Sequence, residues 1–251
     1  MTPGSTTVLA VLFAASFWAG VQNALAGGGS FITLPALMFT GMDARAANIT
    51  STIALFPAQV ASGWTGRHQV SGLRALSFRM LVVISLVGGA LGAILLLITP
   101  PSFFAHLIPY LVAFATAVFA WGSFAPKRHD ASNLNRPGSI IAQFLISIYG
   151  GYFGGGIGFL MLAALTSAGL LIRSAGATKN VLAGVMNASA VLIFIFSPEV
   201  RWLQVGVAGV GAVGGGVIGA VMLNRVSERP LRLLVVLIGI ALTIGLFLRS
   251  R

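Results

Sequence analysis

Residues 27–52 read GGGSFITLPALMFTGMDARAANITST, and residues 149–190 read YGGYFGGGIGFLMLAALTSAGLLIRSAGATKNVLAGVMNASA. In each stretch three glycines precede a short apolar run, and each run leads into a polar cluster that opens the next apolar segment. Gly27-Gly28-Gly29 recurs as Gly154-Gly155-Gly156, at a sequence offset of 127. At the same offset Gly88-Gly89-Ala90-Leu91-Gly92-Ala93 recurs as Gly215-Gly216-Val217-Ile218-Gly219-Ala220. Two separate matches at one offset mark an internal repeat.

Working outward from these stretches, apolar runs with few charges fill the rest of the chain. Of the 251 residues, 57% are hydrophobic and only 8% charged, too few to cover a soluble domain with a polar surface. Ten apolar segments can be drawn, at roughly 5–26, 29–41, 46–66, 76–99, 103–124, 138–156, 157–171, 177–197, 202–223 and 231–248. The second and seventh are shorter than a bilayer's hydrocarbon core requires. Ala24-Leu25-Ala26 looks like a signal-peptidase site, but no positive region precedes it and another apolar segment follows at once, so 5–26 reads as the first helix. The expected fold is an all-α membrane protein of about eight to ten transmembrane segments. Each half would hold five segments, residues 1–124 and 138–251, joined by a basic linker over 125–137. An odd number per half inverts the second half in the membrane and brings the short, discontinuous helices together at the repeat interface.

The net charge of +11 comes from short basic clusters between apolar runs, not from a stripe that would suit nucleic acid. If all ten segments cross, one side holds 11 of the 15 Lys and Arg residues, leaving Arg45, Arg201, Arg249 and Arg251 on the other. The positive-inside rule then places both termini outside the cytoplasm of a multi-pass inner-membrane protein. An eight-helix reading, with the short segments re-entrant, changes that assignment. The chain has no cysteine, which removes disulfides and thiolate chemistry.

Paired, glycine-interrupted short segments point to a transporter's binding site, because helix N-termini inside the membrane present a positive dipole end to an anion. The candidate substrate-binding residues are Gly27, Gly28, Gly29 and Ser30 with Asn48, Thr50 and Ser51 in the first half. Gly154, Gly155 and Gly156 with Lys179, Asn180 and Asn187 complete the set in the second. Polar groups in membrane helices need a partner or a cavity, so helix-to-helix hydrogen bonding is the competing role for the asparagines. For Lys179 the competing role is a topogenic charge that snorkels to the interface. The four acids, Asp43, Asp130, Glu199 and Glu228, all fall in or beside expected loops. Cation carriers and proton relays keep carboxylates within the helices, so an anion is the expected cargo. No catalytic residue, metal site or cofactor is expected, and no ATP-binding motif is present. Trp64, Trp121, Trp202, Tyr149 and Tyr152 fall near segment ends, where interfacial aromatic belts form.

The motif residues Gly27, Gly28, Gly29, Pro35, Gly41, Ala47, Thr50 and Ser51, with Gly154 to Gly156, Lys179, Asn180 and Asn187, resemble the paired signatures of the sulfite exporter TauE/SafE family of bacterial permeases. The second half carries Leu162 where the family's proline would stand. The resemblance covers nearly the whole chain. It implies an inverted-repeat helical carrier for sulfite, organosulfonates or related small anions, often exporting them. The expected partners are therefore a small anionic substrate, the lipid bilayer and, as an option, a second copy in a homodimer, with no nucleic acid.

Single cysteines at Ser5 and Ser132 report the topology of this cysteine-free chain. Impermeant thiol reagents should label them from opposite sides of the membrane; labelling of both from one side overturns the ten-segment arrangement.

Overall fold

The computed structural model describes residues 3–25, 28–65, 67–124, 135–222 and 228–249. Within them lie ten α-helices and no strand: α1 (Pro3–Leu25), α2 (Ser30–Phe39), α3 (Ala44–Thr65), α4 (Phe78–Ile98), α5 (Pro101–Phe124), α6 (Arg136–Tyr152), α7 (Ile157–Ser167), α8 (Ile172–Phe194), α9 (Trp202–Met222) and α10 (Glu228–Arg249). Five stretches are long and apolar enough to cross a membrane: Thr6–Ala24, Phe78–Ile98, Pro101–Phe124, Arg173–Phe194 and Trp202–Gly219. The segments read from the sequence therefore correspond one to one with the helices. The linker stretch 125–134 lies outside the described residues.

Local chemistry sets several of the helix ends. Ser77 accepts a hydrogen bond from Met80 N at the start of α4, and Asn135 accepts one from Gly138 N at the start of α6. Asp43 Oδ1 accepts from the backbone N–H groups of Arg45 and Ala46, which explains an acid at the opening of α3. Helices α2 and α7 have 10 and 11 residues, each spanning only about 15 Å. Both are followed by a glycine in the left-handed region, Gly41 at φ 90° and Gly169 at φ 94°, where an ordinary side chain would be strained. These two glycines stand at an offset of 128, as do Gly28 (φ 84°) and Gly156 (φ 75°) at the starts of the same helices. The repeat offset across the short helices is thus longer by one than the 127 read from the glycine triplets. At 128, Ala163 and not Leu162 stands opposite Pro35.

The halves interlock at glycine-lined contacts. Helix α1 packs on α9 and α6 on α4, while α3 touches α8 and α9, and α4 touches α8. A β-carbon on Gly215 would collide with the backbone of Phe17, and one on Gly88 with Ser147 Cβ, tight against Phe144 O and Ile148 N. Gly88 and Gly215 are counterparts at the 127 offset, so one close approach is built twice. Backbone contact of this kind lets dispersion and weak C–H···O interactions hold helices in an apolar solvent.

The order of the contacts gives helix directions. Gly211, Gly215 and Gly219 meet Phe13, Phe17 and Val21 in turn, so α1 and α9 run parallel. Gly88 meets Phe144 and Gly92 meets Ile148 and Tyr152, so α4 and α6 run parallel as well. Gly63 lies against Asn180 and Val181, and Gln59 bonds Asn187, so α3 and α8 are antiparallel. These directions are compatible with an inverted pair of halves.

Of the residues expected in aromatic belts, the three tryptophans are exposed and the two tyrosines are packed among helices. Trp64, Trp121 and Trp202 are exposed. Tyr152 is buried against the Phe104 ring with its hydroxyl 3.4 Å from Thr99 Oγ1. Tyr149 packs between Phe114 and Phe153 and points its hydroxyl at Leu111 O, 3.5 Å away. Both belong to α6, whose C-terminal turn is enclosed by α4 and α5, so nearness to a segment end did not mean nearness to a headgroup.

Replacing Gly92 by valine should disrupt the α4–α6 contact, because the new side chain meets the Ile148 carbonyl and Tyr152 N–H, which cannot turn aside. The variant should lose at least about 1–3 kcal/mol in unfolding measurements in detergent, the usual cost of overpacking. Gly206→Ala, where a β-carbon has no atom within 4 Å, should behave as the parent does.

Candidate functional site

The polar residues singled out in the sequence collect on α3 and α8, the antiparallel pair that joins the halves, and on the short helices beside them. Helix α3 buries Asn48, Thr50 and Ser51 although it carries fewer apolar residues than its neighbours. Ser51 Oγ lies 2.6 Å from Thr33 Oγ1 on α2, which ties the short helix to the polar cluster. Asn48 Nδ2 donates to the Tyr152 carbonyl at the end of α6, 3.0 Å away. That carbonyl is one of the last in its helix and has no onward helical donor, so the asparagine supplies one. Thr50 is fully buried, and its Oγ1 has no hydrogen-bond partner among the described residues.

In the second half Asn187 is 3% exposed and donates through Nδ2 to Gln59 Oε1, at 2.5 Å. Its Oδ1 is buried without a partner among the described residues. Gln59 and Asn187 are related by the same 128 offset, so the two amides occupy equivalent positions and meet each other where α3 crosses α8. Two amides joined by one N–H···O bond leave at least one carbonyl oxygen and one N–H for another partner. Sequence reading missed Gln59, Thr33 and the Tyr152 carbonyl. The 128 register would have exposed Gln59, since it pairs with a residue already selected.

Lys179 is half-buried and lies beside α7: a β-carbon on Gly158 would stand 3.5 Å from its Nζ. Thr178, just before it, is fully buried and bonds the Ser71 backbone through its hydroxyl. Asn180 is half-buried with its backbone against Gly63. Gly176, Asn180, Gly184 and Asn187 share one face of α8 by helical periodicity. A β-carbon on Gly176 or Gly184 would find no atom within 4 Å, so α8 is open at these two positions, while Asn180 and Asn187 pack on α3.

Residues of the glycine triplets stand at the starts of α2 and α7, with Gly27 lying outside the described residues. Gly28 sits against the Phe119 ring and Gly156 against Ala115, within one turn of each other on α5. Phe31 and Phe159, from the first turns of the two short helices, both make edge contacts with Phe119, at 6.4 and 4.1 Å between ring centroids. The two short helices therefore begin at the same level of the fold. Gly29 packs on Ala19 and Asn23 of α1, and Gly154 is a second left-handed glycine, at φ 78°. Gly155 packs on the Phe153 ring, and Ser30 is the half-buried first residue of α2. The structure thus unites Thr33 with Ser51, Asn48 with Tyr152, Gln59 with Asn187, and Lys179 with Gly158. Among the described residues no hydrogen bond joins Lys179 to Asn48, Thr50 or Ser51.

Comparison with known proteins places this arrangement. The family model described as "Sulfite exporter TauE/SafE" matches residues 12–246. A "Probable membrane transporter protein" of Haemophilus influenzae is 30% identical over 94% of this chain and 93% of its own length. "Probable membrane transporter protein ORF9" of a Sinorhizobium species is 29% identical over 95% of this chain and 92% of its own. "Probable membrane transporter protein YfcA" of Escherichia coli K12 is 27% identical over 98% and 92% respectively. No solved structure matches.

Gln59→Leu leaves the buried Asn187 amide without its acceptor and should cost about 1–3 kcal/mol of stability. Gln59→Leu combined with Asn187→Leu removes both polar groups and should recover part of that loss. Unfolding of the purified variants checks this, and additive losses would contradict the bond.

Proposed function

The chain belongs to the sulfite exporter TauE/SafE family of membrane transporters, and from that premise we propose that it is a secondary transporter of small sulfur-containing anions, such as sulfite or organosulfonates, working by alternating access across the bacterial inner membrane. The observation that carries this reading is the α3–α8 crossing between the halves, where the buried Asn187 and Gln59 amides meet, while Lys179 stands at the rim of short helix α7.

An oxyanion at this place would find donors of the kinds its chemistry needs. The first turns of α2 and α7 direct positive dipole ends towards it, and Lys179 offsets its charge. Asn187 and Gln59 can exchange their mutual bond for bonds to a substrate oxygen. Alternating access follows if the halves, 1–124 and 138–251, rock about the α3–α8 crossing. The basic linker then lies in the cytoplasm and both termini outside it.

A second reading, a non-transporting membrane assembly, draws on the same bonds: Asn48 to Tyr152 and Asn187 to Gln59 also serve as links between helices. The two readings part at Gly184. A side chain there starts into open space, so for Gly184→Leu an assembly role predicts unchanged behaviour, while the transport reading predicts flux falling to background with folded yield intact. In liposomes the parent protein should carry sulfite or an organosulfonate down a gradient; no flux with any small anion tried overturns the transporter reading. Lys179→Ala should weaken anion binding by about tenfold, the value of one charge-assisted hydrogen bond. Normal binding by that variant would make Lys179 a topogenic charge.

A further inference from the structure

Among the described residues there is one ion pair, and it joins the two halves. Arg45, in the first turn of α3, binds Glu199 through both Nε and Nη2, with Nε to Oε2 at 3.0 Å. Glu199 lies in the loop that joins the third and fourth helices of the second half, residues 195–201. The same guanidinium donates through Nη1 to the carbonyls of Leu97 and Thr99 at the C-terminal end of α4. A cation there satisfies carbonyls that have no helical donor and complements the negative end of the helix. Arg45 is therefore anchored within its own half, and its bond to Glu199 is what crosses to the other.

The opposite face carries the counterpart of this fastening in different chemistry. There the loop joining the third and fourth helices of the first half, residues 67–77, reaches α8. Ser71 N donates to Thr178 Oγ1 at 3.0 Å, and the same hydroxyl donates to Ser71 O at 3.2 Å. Arg173, the counterpart of Arg45 in the 128 register, is exposed and forms no ion pair among the described residues. Thr50, the counterpart of Thr178 in that register, has no partner for its hydroxyl among the described residues. Each half thus fastens its third loop onto the third helix of the other, ionically on one face and by a neutral hydroxyl on the other.

We propose that these two fastenings are the gates of the transporter: Arg45–Glu199 closes the face at the start of α3, and Thr178–Ser71 closes the opposite face. This rests on the alternating-access reading above. With both in place the polar interface is shut from both sides, as an occluded carrier requires, and each opening breaks only one. Thr50 lies five residues, about 7.5 Å along α3, from Arg45, so a group at Thr50 reports on the ionic gate. The gates differ in kind. A partly exposed ion pair weakens as salt screens it, whereas a hydroxyl bonded to backbone is far less sensitive.

The test places Thr50→Cys in the cysteine-free chain and follows labelling by an impermeant thiol reagent added from the Arg45 face of oriented vesicles. Glu199→Gln should speed labelling at least tenfold, and Thr178→Val should not. A reporter at Asn180→Cys, labelled from the other face, should respond the opposite way. Raising salt to about 1 M, where the Debye length falls to about 3 Å, should speed labelling at position 50 without the Glu199 substitution. This arm stands even if Glu199→Gln fails to fold. Labelling at position 50 that ignores both Glu199→Gln and salt overturns the ionic gate and makes the pair a fixed strap. Labelling is read without substrate and flux on the parent protein, so the two claims separate: gating with no anion flux through the parent defeats the transport reading alone, and parent flux with unresponsive labelling defeats the gate alone.

Discussion

Everything in this fold depends on helices touching at the backbone where hydrophobic burial gives no advantage. Lipid is as apolar as leucine, so helices α1 and α9, or α4 and α6, gain little by hiding side chains from it. What they gain comes from close approach, and only glycine at positions such as 88, 92, 215 and 219 leaves room for it. Because the two contacts are built from repeat-related residues, the chain makes one helix interface twice and uses it to clasp each half with the first helix of the other. The α3–α8 pair is held between these clasps, which leaves it to carry polar groups that an isolated membrane helix would carry only at a cost.

Much of this was legible in the residues because the same physics writes both patterns. Apolar runs and basic intervals marked every helix, since a bilayer demands length and forbids charge with little room for exception. The glycine repeats marked the close contacts for the same reason. The shift by one in offset across the short helices was hidden, because the glycine triplets match at all three positions in the 127 register and at only two in the 128 register. The left-handed conformations of Gly28, Gly41, Gly156 and Gly169 fix the 128 register, which also pairs Arg45 with Arg173 and Thr50 with Thr178.

The candidate site was legible in type but not in pairing. Asn48 and Asn187 stood out as polar residues in apolar helices, yet their partners are a backbone carbonyl and a glutamine outside the motifs. A carbonyl at a helix end carries no side-chain signature. Tyr149 and Tyr152 misled because amphipathic rings suit both a headgroup layer and a crowded helix junction, and the choice between these was made by α4 and α5.

The three phenylalanine rings at the starts of the short helices have a further consequence. Phe31, Phe119 and Phe159 fill the space where two positive helix ends approach the same turn of α5. Aromatic rings offer those ends almost no dielectric screening, so the helices repel each other through a medium that cannot respond as water would. A negative charge nearby relieves that repulsion and a neutral molecule does not. Preference for charge would then be stored in the mutual repulsion of the two helix ends, as much as in any single bond that an anion makes.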